Sequence, residues 1–272
     1  MNPIADFLST LTSPRTVERY RAALDEFAAW YNQTNQTEPD WNLLTAFEVK
    51  DYLAYLQTVK RLSPSSVNLR LAAIRSLLKH LGRSLKVKGP KQVPPPVKTL
   101  SSRELGRLLA AAEGNLRDTA ILNLLARAGL RVGEVVRLRL AELELNGRSG
   151  WLLIQNGKGN KSRRVPLNAE TRQALKAWLE ERTQTAAEPV FLSQSGQPLS
   201  ERDVQRMVAE YARIAGVDAT PHTLRHTFAT RAIEKGVDIA TLQALLGHSR
   251  LETTGRYLHP SAERLQEAVE GV

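Results

Sequence analysis

Apolar residues recur at intervals of three and four along three segments of the first 85 residues, a period that predicts amphipathic helices. The first and third segments begin with Ser-Pro, at Ser13 and Ser63, which is typical of an N-cap followed by proline in the first turn. A polar loop over residues 32–40 separates the first helix from a second, predicted over residues 45–59. Residues 1–85 are therefore predicted to form a small helical bundle. Its predicted inward positions are Val17, Tyr20, Leu24, Phe27, Tyr31, Val49, Leu53, Leu56, Val67, Leu71, Ile74, Leu78 and Leu81.

Residues 86–99 are predicted to connect this bundle to the rest of the chain. They contain three consecutive prolines, Pro94 to Pro96, which favour an extended and semi-rigid connector. We therefore predict an N-terminal domain over residues 1–85, a linker over residues 86–99 and a second domain over residues 100–272.

The second domain has a mixed pattern. Ser101 and Glu104 form an S-x-x-E capping box that opens a helix. Two short apolar runs, residues 151–154 and 164–167, predict a β-hairpin with the turn-rich tip Gly157-Lys158-Gly159-Asn160-Lys161. The sequence thus predicts a mainly α protein with a small β-hairpin or sheet. Further helices are predicted over residues 116–128, 169–182 and 201–215, and another begins near residue 131. Two more are predicted before and after a turn at Gly236 and Asp238, and a brief strand is predicted over residues 190–192.

The charge of the chain indicates a polyanionic partner. Lys and Arg number 38 against 28 Asp and Glu, a formal net charge of +10. The excess is concentrated in residues 52–103, which contain 11 Lys or Arg and no Asp or Glu, whereas a solvated surface ordinarily mixes both signs. Contact with nucleic-acid phosphates accounts for such a segment. Charge alone leaves open a basic protein without such a partner.

The sequence lacks the features of disulfide-bonded, membrane-spanning and secreted proteins. The chain has no Cys, which excludes disulfides and thiolate chemistry. No apolar run approaches the ~20 residues of a membrane span. The N-terminus lacks the basic region and long apolar core of a signal peptide. We therefore expect a cytoplasmic protein.

The candidate chemistry is concentrated around residues 220–257. Within a helix His222 and Arg225, three apart, share one face and can converge on one ligand. Another His follows Gly247 at the end of the next predicted helix, and a Tyr lies nine positions further on. The complete candidate catalytic set is Arg131, Lys158, His222, Arg225, His248 and Tyr257.

This set is suited to attack on a phosphodiester by a side chain. The non-bridging oxygens gain charge in the transition state, and two guanidinium groups can stabilise it. A Tyr nucleophile, with a reference pKa of ~10, needs a neighbouring base or a cationic field. The leaving 5′ oxygen needs a proton, which Lys158 at the hairpin tip could supply. Because the cations come from the protein, we expect no metal, no ATP and no other cofactor.

The sequence resembles the tyrosine recombinases of the phage integrase family, most closely the small Xer-type members. The matching boxes are residues 129–134, 157–161 with 165–167, 221–230 and 246–257, in the family's order and spacing. The resemblance implies an N-terminal core-binding, SAM-like domain and an α+β catalytic domain that form a C-shaped clamp on double-stranded DNA. It also implies a site-specific recombinase that works through a 3′-phosphotyrosine, for integration, excision or resolution.

The resemblance also implies a role for each candidate residue. Arg131 and Arg225 would hold the scissile phosphate, and Glu134 would support the site. Lys158 would be the general acid, His222 would assist proton transfer, and His248 would bond a non-bridging oxygen. Tyr257 would be the nucleophile. The predicted DNA-backbone contacts are Lys60, Arg61, Arg70, Arg75, Lys79, Lys86, Lys88, Lys91, Lys161, Arg163 and Arg164.

The assembly implied by the resemblance is a homotetramer on two DNA sites, with a dimer on each site, acting alone or with a paralogous recombinase through a Holliday junction. Residues 260–272 would form a helix that docks on a neighbouring subunit.

Other interpretations remain open at this point. His222 and His226 are four apart and could bind zinc, although no third ligand has convincing spacing and two nearby Arg would repel a cation. The rival functions are a type IB topoisomerase-like enzyme with the same chemistry and a catalytically silent DNA-binding architectural protein.

Overall fold

The chain forms two compact units, Met1–Pro95 and Pro96–Val272. The computed structural model describes residues 3–92, 97–146, 148–155, 162–182 and 188–247. The predicted hairpin tip, the segment from His248 through Tyr257 and the predicted docking helix over residues 260–272 lie outside the described residues.

The first unit is a bundle of helices around an apolar core. Leu24 and Phe27 from one helix meet Tyr52 and Ile74 from two others, and all four are fully buried. Thr45 and Glu48 form a capping box, and the Ser63 side chain accepts a hydrogen bond from the backbone N–H of Ser66, so two starts are fixed by local hydrogen bonds. The helices are α1 (Pro3–Ser9), α2 (Pro14–Asn35), α3 (Ala46–Thr58) and α4 (Pro64–His80).

Two features of this unit differ from the sequence prediction. Helix α2 continues through residues predicted as loop and ends at Asn35, where Gln36 adopts the left-handed conformation (φ 55°). Helix α1 was not predicted, because seven residues are too few to display a helical period. Its Ile4, Phe7 and Leu8 are nevertheless buried in the core of the unit.

The first residues of the predicted linker pack on the first unit. Val87 is buried in that unit's core. Gly89 lies against α4 so closely that a Cβ atom there would be 1.9 Å from the side-chain oxygen of Asn68. The Asn68 side-chain amide also donates to the carbonyl of Pro90 at 3.0 Å. The compact part of the first unit therefore extends beyond residue 85.

The second unit surrounds a central helix with other helices and a small sheet. Helix α6 is buried on most of its surface and packs against α7, α8, α9 and α10. The sheet is antiparallel in the order β1-β2-β3. Within the described ranges, no helix combines the length and apolar character that crossing a bilayer requires. The elements are α5 (Ser102–Ala111), α6 (Leu116–Arg127), α7 (Val132–Arg137), a 3-10 turn (Leu140–Glu142), β1 (Leu143–Leu145), β2 (Gly150–Gln155), β3 (Ser162–Pro166), α8 (Ala169–Glu181), α9 (Glu201–Ala215), α10 (Pro221–Glu234) and α11 (Ile239–Leu246).

The β structure differs in two places from the prediction. Strand β1 was not predicted, and it exists through pairing with β2, with Leu143 opposite Leu152. The brief strand predicted over residues 190–192 is wrong as a regular strand. Two isolated bridges occur there instead, Arg139 with Pro189 and Leu192 with Pro198.

Candidate active site

The start of α10 places one candidate residue at the surface and another in the interior. The Thr220 hydroxyl accepts a hydrogen bond from the backbone N–H of Thr223 at 3.1 Å, and Pro221 occupies the first turn. His222 is exposed, whereas Arg225, one turn later, has a side chain only 3% exposed. The helix therefore directs Arg225 into the unit.

The Arg225 guanidinium is anchored to two backbone carbonyls. Its Nη1 donates to the carbonyl of Gly129 at 2.5 Å and its Nη2 to the carbonyl of Leu246 at 2.7 Å. Gly129 has φ +66°, and a Cβ atom there would lie 2.4 Å from the ring of Phe228. Glycine is therefore needed at 129, because a side chain would displace the loop whose carbonyl holds Arg225.

Arg131 is the N-cap residue of α7, and its side chain contacts buried groups while remaining partly exposed to solvent. Its backbone N–H donates to Oε2 of Glu134 at 2.8 Å, and its Nη1 donates to Oε1 of the same residue at 3.0 Å. The guanidinium also donates to the carbonyls of Leu246 at 3.2 Å and Gly247 at 3.3 Å. With 43% of the side chain exposed, Arg131 remains accessible to a ligand.

A third arginine, Arg163 of β3, completes the group. Its Nη1 and Nη2 donate to Oε1 and Oε2 of Glu134 at 2.8 and 2.9 Å, a bidentate pair. Its Nε donates to the carbonyl of Leu245 at 2.8 Å, and its side chain is only 9% exposed. Arg163 is therefore directed into the protein.

Glu134 is the anion that these guanidinium groups share. Its side chain is 5% exposed, and burial by itself raises the pKa of the carboxyl. The hydrogen bonds and charge of Arg163, followed by those of Arg131, outweigh burial and lower the pKa to about 2. Glu134 is consequently ionised throughout the neutral range and offsets the repulsion among the arginines.

The arginines of this cluster all donate hydrogen bonds to the C-terminal end of α11. The carbonyls of Leu245, Leu246 and Gly247 accept hydrogen bonds from Arg163, Arg225 and Arg131. Carbonyls in the last turn of a helix lack intrahelical partners and carry partial negative charge, so cations stabilise them. His248 is the next residue in the sequence.

The structure thus brings together Arg131, Arg225 and Glu134. The rings of His222 and His226, on the same helix, have centroids 4.0 Å apart in an edge-to-face arrangement. In the part of the chain that the structure describes, no cluster of three His, Cys, Asp or Glu residues could share a metal ion. Four predicted site residues lie outside the described residues: Lys158, Lys161, His248 and Tyr257.

The predicted DNA-backbone contacts divide into two groups. One group has exposed side chains: Lys60, Arg61, Lys79, Lys86, Lys88 and Lys91. In the other group, of which Arg75 and Arg164 are also exposed, the guanidinium already has a partner within the protein. Arg70 pairs with Glu26 at 2.6 Å, Arg75 donates to the carbonyl of Val87, and Arg164 pairs with Glu144 at 2.5 Å.

Arg163 is also one of the predicted DNA contacts, and its guanidinium is bonded to the carboxylate of Glu134 and to the carbonyl of Leu245. The sequence contained an indication of this. Arg163 lies two residues before Val165, and residues two apart in a strand point to the same face. Since Val165 is buried, its face is the inner one.

Comparison with known proteins agrees with this architecture. Residues 98–264 match the Phage integrase family, and residues 7–85 match the phage integrase N-terminal SAM-like domain. Tyrosine recombinase XerA of Pyrococcus furiosus is 35% identical over 234 residues, 83% of this chain and 80% of that protein. Tyrosine recombinase XerD of Lacticaseibacillus casei is 34% identical over 288 residues, 96% of this chain and 95% of that protein.

A solved structure has the same fold. The site-specific recombinase XerH, in a pre-cleavage complex with its difH substrate, superposes with a TM-score of 0.76 at 24% identity, over 93% of this chain and 78% of that one. The two matched domains together cover most of the sequence. The chain belongs to the phage integrase family and is a tyrosine recombinase close to the Xer type.

Proposed function

We propose that this protein is a site-specific DNA recombinase that cleaves and rejoins double-stranded DNA through a 3′-phosphotyrosine. The observation that supports this most directly is the arginine cluster around Glu134 at the end of α11. It concentrates positive charge immediately before the segment that contains His248 and Tyr257. Attack by a tyrosine instead of water conserves the phosphodiester energy in a protein–DNA bond, so the cut strand can be joined to another.

Arg131 and Arg225 are the proposed ligands of the scissile phosphate. Both donate to the carbonyl of Leu246, so their donor nitrogens lie no more than about 6 Å apart, a separation that one phosphate can bridge. Because the arginines are fixed by backbone carbonyls before DNA arrives, they need little reorganisation as charge develops on the phosphate oxygens. His248 would add a further hydrogen bond to those oxygens.

Proton transfer accompanies the attack. Tyr257 must lose its proton to become a good nucleophile, and we assign His222 to assist that transfer. The bond from phosphorus to the 5′ oxygen breaks, and we assign Lys158 to protonate this leaving group. Rejoining reverses both transfers, with a 5′ hydroxyl as the nucleophile and Tyr257 as the leaving group.

The acid-free segment, residues 52–103, contains no Asp or Glu. Its exposed basic residues are the proposed contacts to the DNA backbone: Lys60, Arg61, Lys79, Lys86, Lys88 and Lys91. XerH is bound to its difH substrate in its solved complex. For this chain we propose a homotetramer on two DNA sites, with a dimer on each and with residues 260–272 docking on a neighbouring subunit. We also propose that it acts in the cytoplasm.

Covalent trapping tests the proposed function. The protein, Tyr257→Phe and Tyr211→Phe are each incubated with a library of nicked duplexes, denatured, and the protein-linked DNA is sequenced. Tyr211 is the matched control, because its hydroxyl donates to Asp118 at 3.0 Å in the same unit. We expect linked DNA that shares one sequence motif, persists in Tyr211→Phe and disappears in Tyr257→Phe, while Tyr257→Phe still binds DNA.

The other outcomes are equally informative. Linked DNA without a shared motif would indicate a topoisomerase-like activity. An adduct from Tyr257→Phe would move the nucleophile to another residue. Tight binding without any adduct would indicate a DNA-binding protein without strand-transfer activity.

A further inference from the structure

Arg163 makes three hydrogen bonds inside the second unit, although it lies close to the tip of a surface hairpin. It lies on β3, the strand that follows the hairpin tip, and contacts α7 through Glu134 and α11 through the carbonyl of Leu245. Its partners lie 29 and 82 residues away in the sequence. One side chain therefore connects three separate elements of the second unit.

The turn that ends α11 packs against the guanidinium of Arg163. Gly247 ends α11 in the left-handed conformation, φ +65°, and a Cβ atom there would lie 2.8 Å from Nη1 of Arg163. The Arg163 side chain thus occupies the space beside the turn, and the backbone can pass only because residue 247 has no side chain. The position from which the chain continues to His248 is set by this contact.

We propose that Arg163 is a positioning residue for the strand-transfer reaction: with Glu134 it fixes the end of α11, and so the point from which the segment with His248 and Tyr257 departs. This inference rests on the proposed function, because it assigns the effect of Arg163 to the nucleophile side of that reaction. Arg163 acts through the backbone of residues 245–247 and not by contact with DNA.

The geometry requires arginine and not only a positive charge. A guanidinium presents two parallel N–H donors to the carboxylate and a third, from Nε, to the carbonyl of Leu245. Lysine can preserve the charge beside Glu134, but its single ammonium on a flexible stem cannot maintain all three bonds. Arg163→Lys therefore separates positioning from charge compensation.

Two rival explanations need to be distinguished. Arg163 could contribute only stability through its ion pair with Glu134. It could also act on the leaving-group side, since Lys158 at the hairpin tip is five residues earlier in the sequence. A DNA substrate with sulfur in place of the bridging 5′ oxygen separates the two sides of the reaction. Attack by Tyr257 then forms the O–P bond and breaks the P–S bond, and the thiolate departs with the electron pair without needing a proton.

The experiment measures the rate of adduct formation at saturating DNA, with nicked duplexes that carry the motif recovered by trapping. The proteins are the unmodified chain, Arg163→Lys, Lys158→Ala and the control Arg213→Lys, whose residue also pairs with a carboxylate, that of Glu210, but is 73% exposed and belongs to no predicted site. We expect Arg163→Lys to lower the rate about 10- to 100-fold, as misplacement of a reacting group does, with DNA affinity within about twofold of the unmodified chain. Sulfur substitution should restore Lys158→Ala but not Arg163→Lys.

Hydrogen exchange supplies a second, local measurement. Amides of residues 243–247 should exchange faster in Arg163→Lys than in the unmodified chain, and by a larger factor than those of α6. A rate for Arg163→Lys within about twofold of the unmodified chain would reduce Arg163 to an ion pair that serves stability. Restoration of Arg163→Lys by sulfur would transfer its effect to the hairpin. Absence of any adduct from the unmodified chain would overturn the proposed function, and this inference with it.

Discussion

Replacing Glu134 by Gln tests whether the arginine cluster depends on its single shared anion. The carboxylate lies 2.8 Å from Arg163, 3.0 Å from Arg131 and 3.9 Å from Arg225. Arg163 and Arg225 are almost completely buried, so the neutral amide leaves two interior cations without a compensating charge. Breaking a buried ion pair in this way costs about 3–5 kcal/mol.

The lowered pKa of Glu134 leads to a free energy of similar size. The pKa of about 2, against an ordinary value of 4.5, means that the folded protein stabilises the ionised form by about 3 kcal/mol relative to the unfolded chain. We therefore expect Glu134→Gln to reduce the free energy of unfolding of the second unit by about 3 kcal/mol.

Native-state hydrogen exchange in α6 is the appropriate assay, because that helix forms the centre of the second unit. The matched control is Glu144→Gln. Glu144 pairs with Arg164, but both side chains are more than half exposed, so this change should cost less than about 1 kcal/mol. Equal losses in the two variants would refute the argument that burial makes the Glu134 contacts strong.

The same reasoning fixes the pH dependence. A carboxyl whose pKa is lowered on folding contributes its full stabilisation above its unfolded pKa, and this is lost as pH falls towards the folded pKa. The advantage of the unmodified chain over Glu134→Gln should therefore be constant above about pH 5 and smaller by about 2 kcal/mol at pH 3. An advantage that did not change between these values would show that the carboxylate is not held in its ionised form.

Two further predictions concern the loop at Gly129 and the basic segment. Gly129→Ala should destabilise the second unit by about 2–4 kcal/mol, measured by hydrogen exchange in α6, because strain at positive φ adds to the clash with Phe228. The control Gly82→Ala, at φ +73° in open space, should destabilise the first unit by only about 1–2 kcal/mol. Equal losses in the two variants would contradict the argument that packing against Phe228 requires glycine at 129. The double change Lys86→Gln with Lys88→Gln should reduce the slope of log K against log salt for DNA binding by about 2, whereas Lys50→Gln outside the acid-free segment should leave it unchanged. A slope that stayed the same in the double variant would remove these lysines from the proposed phosphate contacts.

Helix starts were the most predictable features of the fold. The caps at Ser63, Ser101, Thr220 and Asp238 form between residues three apart, so the sequence contains both partners of each hydrogen bond. Strand β1 depends instead on pairing with β2, and three residues have no period of their own. The bridges near Pro189 and Pro198 likewise depend on segments that only the fold brings together.

The candidate site was predictable where its residues are adjacent to a local motif. Arg131 and Glu134 are three apart in a capping arrangement, and Arg225 follows the cap of α10. Arg163 was predicted to contact DNA, because a basic residue near a hairpin tip is usually at the surface. Its actual partners, Glu134 and Leu245, are remote in sequence, so only the fold shows where its charge is used.

The balance of charge in the cluster is what relates its stability to the proposed chemistry. Three guanidinium groups and one carboxylate leave a net charge of two positive units near the end of α11. As the tyrosine loses its proton and bonds to phosphorus, the phosphoryl group changes from one negative charge to two in the transition state, so the excess matches that state better than the singly charged phosphodiester. Without Glu134 the three cations would repel one another before DNA arrives, and with a second carboxylate the excess would fall to one positive unit. Because the pKa of Glu134 is about 2, this balance is the same throughout the neutral pH range.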